Sequence, residues 1–163
     1  MTFQNPQKIS SITEGNEYIY FGTNGGILRY HVYGNYWDYP ISKSQGLNSN
    51  FINAIYYDLN TNILWSLSEK NLNYSMNQGG SWIQVNNDYP SDFKNKIIKI
   101  GSDSEFIYCL TYTHILRLNN INGILVDVLN DMSMLNEIKW GSGLIRYDYE
   151  YPNQINEYSF LGG

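Results

Sequence analysis

A strand-and-turn pattern that starts over about every 44 residues constrains this chain more than any other feature. Phe21, Trp65 and Tyr108 lie 44 and 43 residues apart; Trp37 and Trp82 lie 45 apart, and Ile124 follows 42 later. The apolar runs are short, rich in Tyr, Ile and Leu, and closed by Gly, Asn, Asp or Ser. These residues supply positive φ or bond their own backbone, so the runs read as strands joined by tight turns. The first unit places strands at Ile9–Ile12, Tyr18–Phe21, Ile27–Val32 and Tyr36–Tyr39. The second places them at Phe51–Tyr57, Ile63–Leu67, Leu72–Ser75 and Trp82–Val85, and the third at Ile97–Ile100, Phe106–Leu110, Ile115–Leu118 and Ile124–Leu129. The run Ile138–Tyr147 then repeats Ile19–Tyr30 with two turn residues deleted, and the pattern ends at Asn156–Phe160. No segment sustains a 3.6-residue apolar period, so almost no helix is expected; Asp131–Asn136 has room for a single helical turn.

A period of about 40–50 residues with four strands per unit is the signature of β-propeller blades. The expected fold is therefore all-β: three to four blades of four-stranded antiparallel sheet. Residues 1–163 form one propeller domain or part of one, with units at approximately 7–50, 51–95, 96–133 and 134–160. Only 32 residues separate Tyr108 from Trp140, so the fourth unit is short. Closed propellers typically have about 4–8 blades. Three readings follow: a small irregular four-bladed ring, an open arc of a larger propeller, or an arc that closes with another chain. An open arc leaves sheet edges exposed, which invites partners.

Composition excludes several classes. Charged residues make up only 15% of the chain and its net charge is -5, so no nucleic-acid surface is expected. Cys109 is the single cysteine, which forbids an intrachain disulfide; within the apolar run Phe106–Leu110 it reads as a small buried hydrophobe. No apolar run reaches the ~20 residues of a membrane span. The opening residues Met1–Pro6 lack the apolar core of a signal peptide, which fits either a cytoplasmic chain or a mature segment whose export signal has been removed.

The candidate chemistry is thin. Gly22-x-x-Gly25-Gly26 is followed by a strand rather than the helix a phosphate loop needs, so it reads as a turn. Asp58-x-Asn60-x-Asn62, with Ser66 and Glu69 at ligand-like offsets, superficially fits a calcium loop, yet Ile63 stands where the loop requires Gly; a polar hairpin turn is the better reading. Arg29, Arg117 and Arg146 occupy matching positions in three units, with Tyr74 in that place in the second. They read as half-exposed strand residues whose stems cover apolar surface. His31 and His114 have no paired ligand spacing, so no zinc site is expected. The acidic residues Asp38, Asp58, Asp88 and Glu105 fall in scattered turns. Tyr33, Tyr36, Trp37, Tyr39, Tyr149 and Tyr151 lie near turns, where exposed rings could stack on sugars or peptides, though inter-blade packing explains most of them. No catalytic residue, cofactor or metal ligand is assigned, and the ligand-binding residues stay open.

Two resemblances add to this reading. Ser75-x-Asn77-x-Gly79-x-Ser81-Trp82 resembles the Asp-box of sialidase-type propellers, with Asn77 in place of Asp. The resemblance implies a structural staple on the periphery, made of Ser75, Asn77, Gly79, Ser81 and Trp82, with Asn119–Leu125 and Gly34–Trp37 as decayed copies. Tyr18–Tyr30, Gln45–Ile55 and Asn62–Trp65 resemble the two-component regulator propeller repeat; the third unit departs from it, with Tyr112-Thr113-His114 replacing the Gly-Gly turn. That family implies an extracytoplasmic, periplasmic or secreted, bacterial sensor propeller rather than an enzyme. The expected function is a non-enzymatic binding module that presents loops to a protein or carbohydrate ligand. The alternatives are a fragment of a carbohydrate-active, sialidase-like propeller, or a structural module that completes a ring with another chain.

Overall fold

The computed structural model describes residues 8–68, 71–86 and 97–141. Among these residues thirteen strands fall into three sheets. The first sheet runs β1 (Ile9–Glu14), β2 (Tyr18–Thr23), β3 (Gly26–His31) and β4 (Tyr36–Trp37) in that order. The second holds β5 (Ile52–Asp58), β6 (Ile63–Ser68), β7 (Asn71–Ser75) and β8 (Ile83–Gln84). The third contains β9 (Lys99–Ser102), β10 (Phe106–Leu110), β11 (Ile115–Asn119) and β12 (Leu125–Leu129). Each sheet is a meander of antiparallel neighbours. The first strands pack side by side, β1 on β5 and β5 on β9, so they form the inner edge about which the sheets stack.

The register moves one landmark of the repeat. Tyr20, Trp65 and Tyr108 are the equivalent positions, because they face Arg29, Tyr74 and Arg117 on the next strand. Phe21 is one residue out of step with them. In a strand a single step reverses the face, and Phe21 accordingly pairs with Leu28 and packs on Trp37.

The fourth repeat is not continued as a separate sheet by its described part. Two turns of 3-10 helix, Met132–Glu137, follow sheet three, and Asp131 caps them by accepting from the Ser133 amide at 2.9 Å. The next strand, β13 (Lys139–Trp140), pairs antiparallel with β9 and makes sheet three five-stranded. Gly101 permits this: a Cβ there would lie 2.6 Å from the Trp140 ring. The Gly141 amide completes the join by donating to the Ile100 carbonyl at 2.9 Å. The remainder of the expected fourth unit, including Arg146, Tyr149 and Tyr151, lies outside the described residues, as do Glu69 and Asp88.

Two cores hold the sheets together. Tyr18, Tyr20, Ile27, Ile41 and Leu47 pack with Ile52, Ile55, Tyr57, Leu64 and Trp82 between sheets one and two. Ala54, Tyr56, Ile63, Trp65, Leu67, Leu72 and Tyr74 pack with Ile100, Ile107, Cys109, Leu116 and Leu118 between sheets two and three. Sheet two is thus covered on both faces, and every residue of β6 is buried. The outer face of sheet three is covered by Ile138, Leu135 and Trp140 around Tyr108.

Candidate binding groove

The turns β1–β2, β3–β4 and β5–β6 meet the ends of β9 and β13 around a groove of about 680 Å³. Its walls come from all three sheets because each inner strand ends there: Glu14 closes β1, Asp58 closes β5 and Ser102 closes β9. The short polar turns that follow tie the sheets to one another. Asn16 donates to the Asn62 side chain at 2.7 Å, joining sheets one and two. Asn60 donates to the Asp103 carbonyl at 3.0 Å, joining sheets two and three.

Hydroxyls line the interior. The Tyr56 hydroxyl lies 2.6 Å from Ser102 Oγ and donates to the Lys139 carbonyl at 3.3 Å. Tyr57 donates to Asn62 Oδ1 at 3.3 Å. Burial raises the pKa of both phenols, and the nearby Asp58 charge adds to the rise, against a lowering bond from Ser102 at Tyr56 and from Asn16 at Tyr57. Both therefore stay protonated at neutral pH and serve as donors. The Asp58 carboxylate is buried and engaged by its own turn, accepting from the Asn60 amide at 3.1 Å and from Thr61 Oγ1 at 2.8 Å. It fixes the turn in the manner of an Asx motif. Glu14 and Lys139 stand exposed at the rim, and Tyr33, 78% exposed, supplies an aromatic face.

The staple residues form a connected turn at this same end. Ser75 Oγ accepts from the Gly79 amide at 2.8 Å, and Asn77 Oδ1 accepts from the Ser81 amide at 2.9 Å. Trp82 donates its indole N–H to the Gly79 carbonyl at 3.1 Å and is buried. Gly79 has a φ of 93°, and a Cβ there would lie 2.3 Å from Ile41 Cδ1, so both the conformation and the close approach require glycine. Gln78 of the turn donates to Glu17 at 3.2 Å and accepts from Arg29 at 3.0 Å, which fastens it to sheet one.

The two repeated arginines among the described residues, Arg29 and Arg117, do not converge. Arg29 lies over the Tyr18 ring at 5.1 Å and pairs with Asp38 at 3.5 Å, while Arg117 lies over Phe106 at 5.0 Å and pairs with Asp127 at 3.8 Å. Arg117 clamps its own sheet, while Arg29 also reaches the Gln78 carbonyl of the sheet-two turn. Burial alone would raise the Asp38 carboxyl, but the Tyr18 hydroxyl, the Tyr39 amide and Arg29 outweigh it and hold the pKa below the ordinary value. Asp103 behaves alike: burial is outweighed by bonds from Tyr108 and the Glu105 and Phe106 amides, helped by Arg117. His31 stacks on Tyr36 at 4.8 Å in sheet one and His114 contacts Thr113 beside sheet three. Gly22 and Gly26 lie on the paired ends of β2 and β3, and Asn24-Gly25 makes the turn between them, knitted by Thr23 Oγ1. Among the described residues no three His, Cys, Asp or Glu side chains are placed to hold a metal ion.

The groove itself was not singled out from the sequence. The available signal was an acidic residue at or just past the end of the first strand of each unit, Glu14, Asp58 and Asp103, 44 and 45 residues apart. Tyr56 and Lys139 carried no signal, because pairing of β13 with β9 brings them together.

No protein-family model matches the chain, and no curated protein matches it. Solved structures do. The extracellular domain of BT4673 from B. thetaiotaomicron, described both as a one-component and as a hybrid two-component system, superposes with a TM-score of 0.60 at 12% identity, covering 79% of this chain and 18% of that one. The extracellular domain of the hybrid two-component system BT3049 from the same organism gives 0.52 at 18% identity, over 78% of this chain and 19% of that one. The computationally designed protein Ika4 gives 0.57 at 12% identity, over 77% and 75%. The chain spans about a fifth of the length of the two extracellular domains. At these identities the likeness is one of fold: the chain is all-β, with antiparallel sheets stacked about their inner strands in a propeller-like arrangement.

Proposed function

We propose that this chain is a sensor-type binding module, and that the groove at the ends of the inner strands receives its ligand. The observation that carries the reading is the groove's construction: one space bordered by all three sheets, lined by phenol, hydroxyl and amide groups, with the exposed ring of Tyr33 at its edge. Such a lining suits an uncharged ligand rich in hydroxyl or amide groups, an oligosaccharide or a peptide segment. The likeness to extracellular domains of one- and two-component systems supports a sensing role and an extracytoplasmic location. No described helix is long and apolar enough to cross a membrane.

A non-enzymatic role is favoured because the Asp58 carboxylate is held by its own turn and both buried phenols stay protonated. Ser75, Asn77, Gly79, Ser81 and Trp82 act in this reading as a staple that pins the outer hairpin of sheet two to sheet one. Units near 7–50, 51–95, 96–133 and 134–160 of one propeller domain, of the regulator-repeat type, complete the proposal.

The test is a calorimetric screen of neutral oligosaccharides and short peptides against the protein and its Tyr33→Ala variant. A ligand from this class is expected to bind, with affinity reduced roughly tenfold in the variant, the scale of one aromatic contact. Binding that ignores Tyr33→Ala and a charge reversal at Lys139 would place the site elsewhere.

A further inference from the structure

The interface between sheets one and two contains a cluster of polar side chains that packing alone does not explain. Ser66 and Ser68 on β6 and Asn73 on β7 are fully buried. Asn73 stands directly opposite Ser66 in the ladder, and Ser68 follows two residues along on the same face. That face is turned toward sheet one: Ile55, opposite Ser66, belongs to the core shared with Tyr20, Ile27, Ile41 and Leu47. Four atoms of the cluster, Ser66 Oγ, Ser68 Oγ and both Oδ1 and Nδ2 of Asn73, have no protein partner.

A buried polar group without a partner costs on the order of 1–3 kcal/mol, and an amide orphaned at both ends is rare in folded proteins. Apolar side chains would fit the equivalent sites. Sheet three carries Cys109 and Leu116 where sheet two carries Ser66 and Asn73, and both are fully buried in an apolar core. The cluster combines donors and acceptors and carries no charge. Its occupant must therefore donate and accept at once, be small, and be neutral.

We propose that Asn73, Ser66 and Ser68 form an internal hydration site in which ordered water bridges the asparagine amide to the serine hydroxyls. A buried water makes about three hydrogen bonds, so one or two molecules satisfy the cluster. They form part of the seam between sheets one and two, a role distinct from that of the groove.

The test is a high-resolution crystal structure of the protein and of Asn73→Leu, together with water-oxygen magnetic relaxation dispersion on both in solution. The expected result is water density about 2.7–3.2 Å from the Asn73 amide and from Ser66 Oγ, and a long-lived water signal that falls in the variant. Relaxation dispersion identical in the two proteins would overturn the proposal. So would a wild-type crystal structure in which Asn73 bonds to protein groups, or in which a solute other than water fills the cluster. Should Asn73→Leu fail to fold, Ser66→Ala with Ser68→Ala gives the same comparison.

Discussion

The two faces of sheet two are joined differently: both seams, with sheet one and with sheet three, have an apolar core, but the first adds a row of directional bonds along its inner strands. In the first, β1 holds β5 through hydroxyls. Ser11 Oγ accepts from the Ile55 amide at 3.1 Å, Thr13 Oγ1 accepts from the Tyr57 amide at 2.8 Å, and Ser10 Oγ donates to the Ile52 carbonyl. Arg29 and Gln78 add a polar clasp farther out. In the second, Ile, Leu, Trp and Cys side chains fill the space, and the described polar bonds Tyr56 with Ser102 and Asn60 with Asp103 lie at its groove end. Even there Trp65 keeps its indole N–H without an acceptor, so the apolar packing also bears a polar cost. Burial without direction holds the second seam, while directional bonds fix the register of the first.

The largest effect should come from Trp65→Ala. The ring is fully buried at the centre of the apolar seam, and truncation of such a side chain costs about 3–5 kcal/mol through lost transfer energy and the cavity left behind. Urea unfolding should show that loss; a change under about 1 kcal/mol would mean that the seam collapses around the gap and that its packing is loose. Thr13→Val should cost less, roughly 1–3 kcal/mol, because it keeps the shape and orphans the buried Tyr57 amide. A neutral result in the same titration would remove the contrast between the seams.

The smallest effect concerns pH. Asp38 and Asp103 have folded pKa values below those of a free carboxyl, the first bonded to Tyr18 near the polar seam and the second to Tyr108 beside the apolar one. A depressed carboxyl adds stability that is complete above the ordinary value near ~4 and is lost as pH falls through the folded value. Melting temperature should therefore drop below about pH 4, and Asp38→Asn should flatten part of that drop. An unchanged acid profile in the variant would show that the Tyr18–Asp38–Arg29 clamp contributes nothing to folding.

The repeat was legible because turn chemistry and apolar runs agree within each unit, as at Gly22–Ile27 and Asn77–Trp82. All twelve strands expected of the first three units are present. What escaped was anything set by one sheet's relation to another. Ser66 and Ser68 of β6 are both buried because sheet two lies between two others, a fact that the strand pattern of Ile63–Leu67 does not carry. Trp140 resembled the start of a new unit, and the pairing of its strand with β9 depends on Gly101, 39 residues earlier. The groove was hidden for the same reason, since its walls come from turns in different units.

The length of the outer strands bears on how this molecule avoids its own kind. Those of sheets one and two, β4 and β8, are two residues long and offer little backbone for a neighbour's chain to extend. In sheet three β13 occupies the inner edge, leaving five-residue β12 as the longest outer strand, with Val126 and Val128 exposed. Asp127 sits between those valines. Its charge, paired with Arg117, guards the longest outer edge among the described residues.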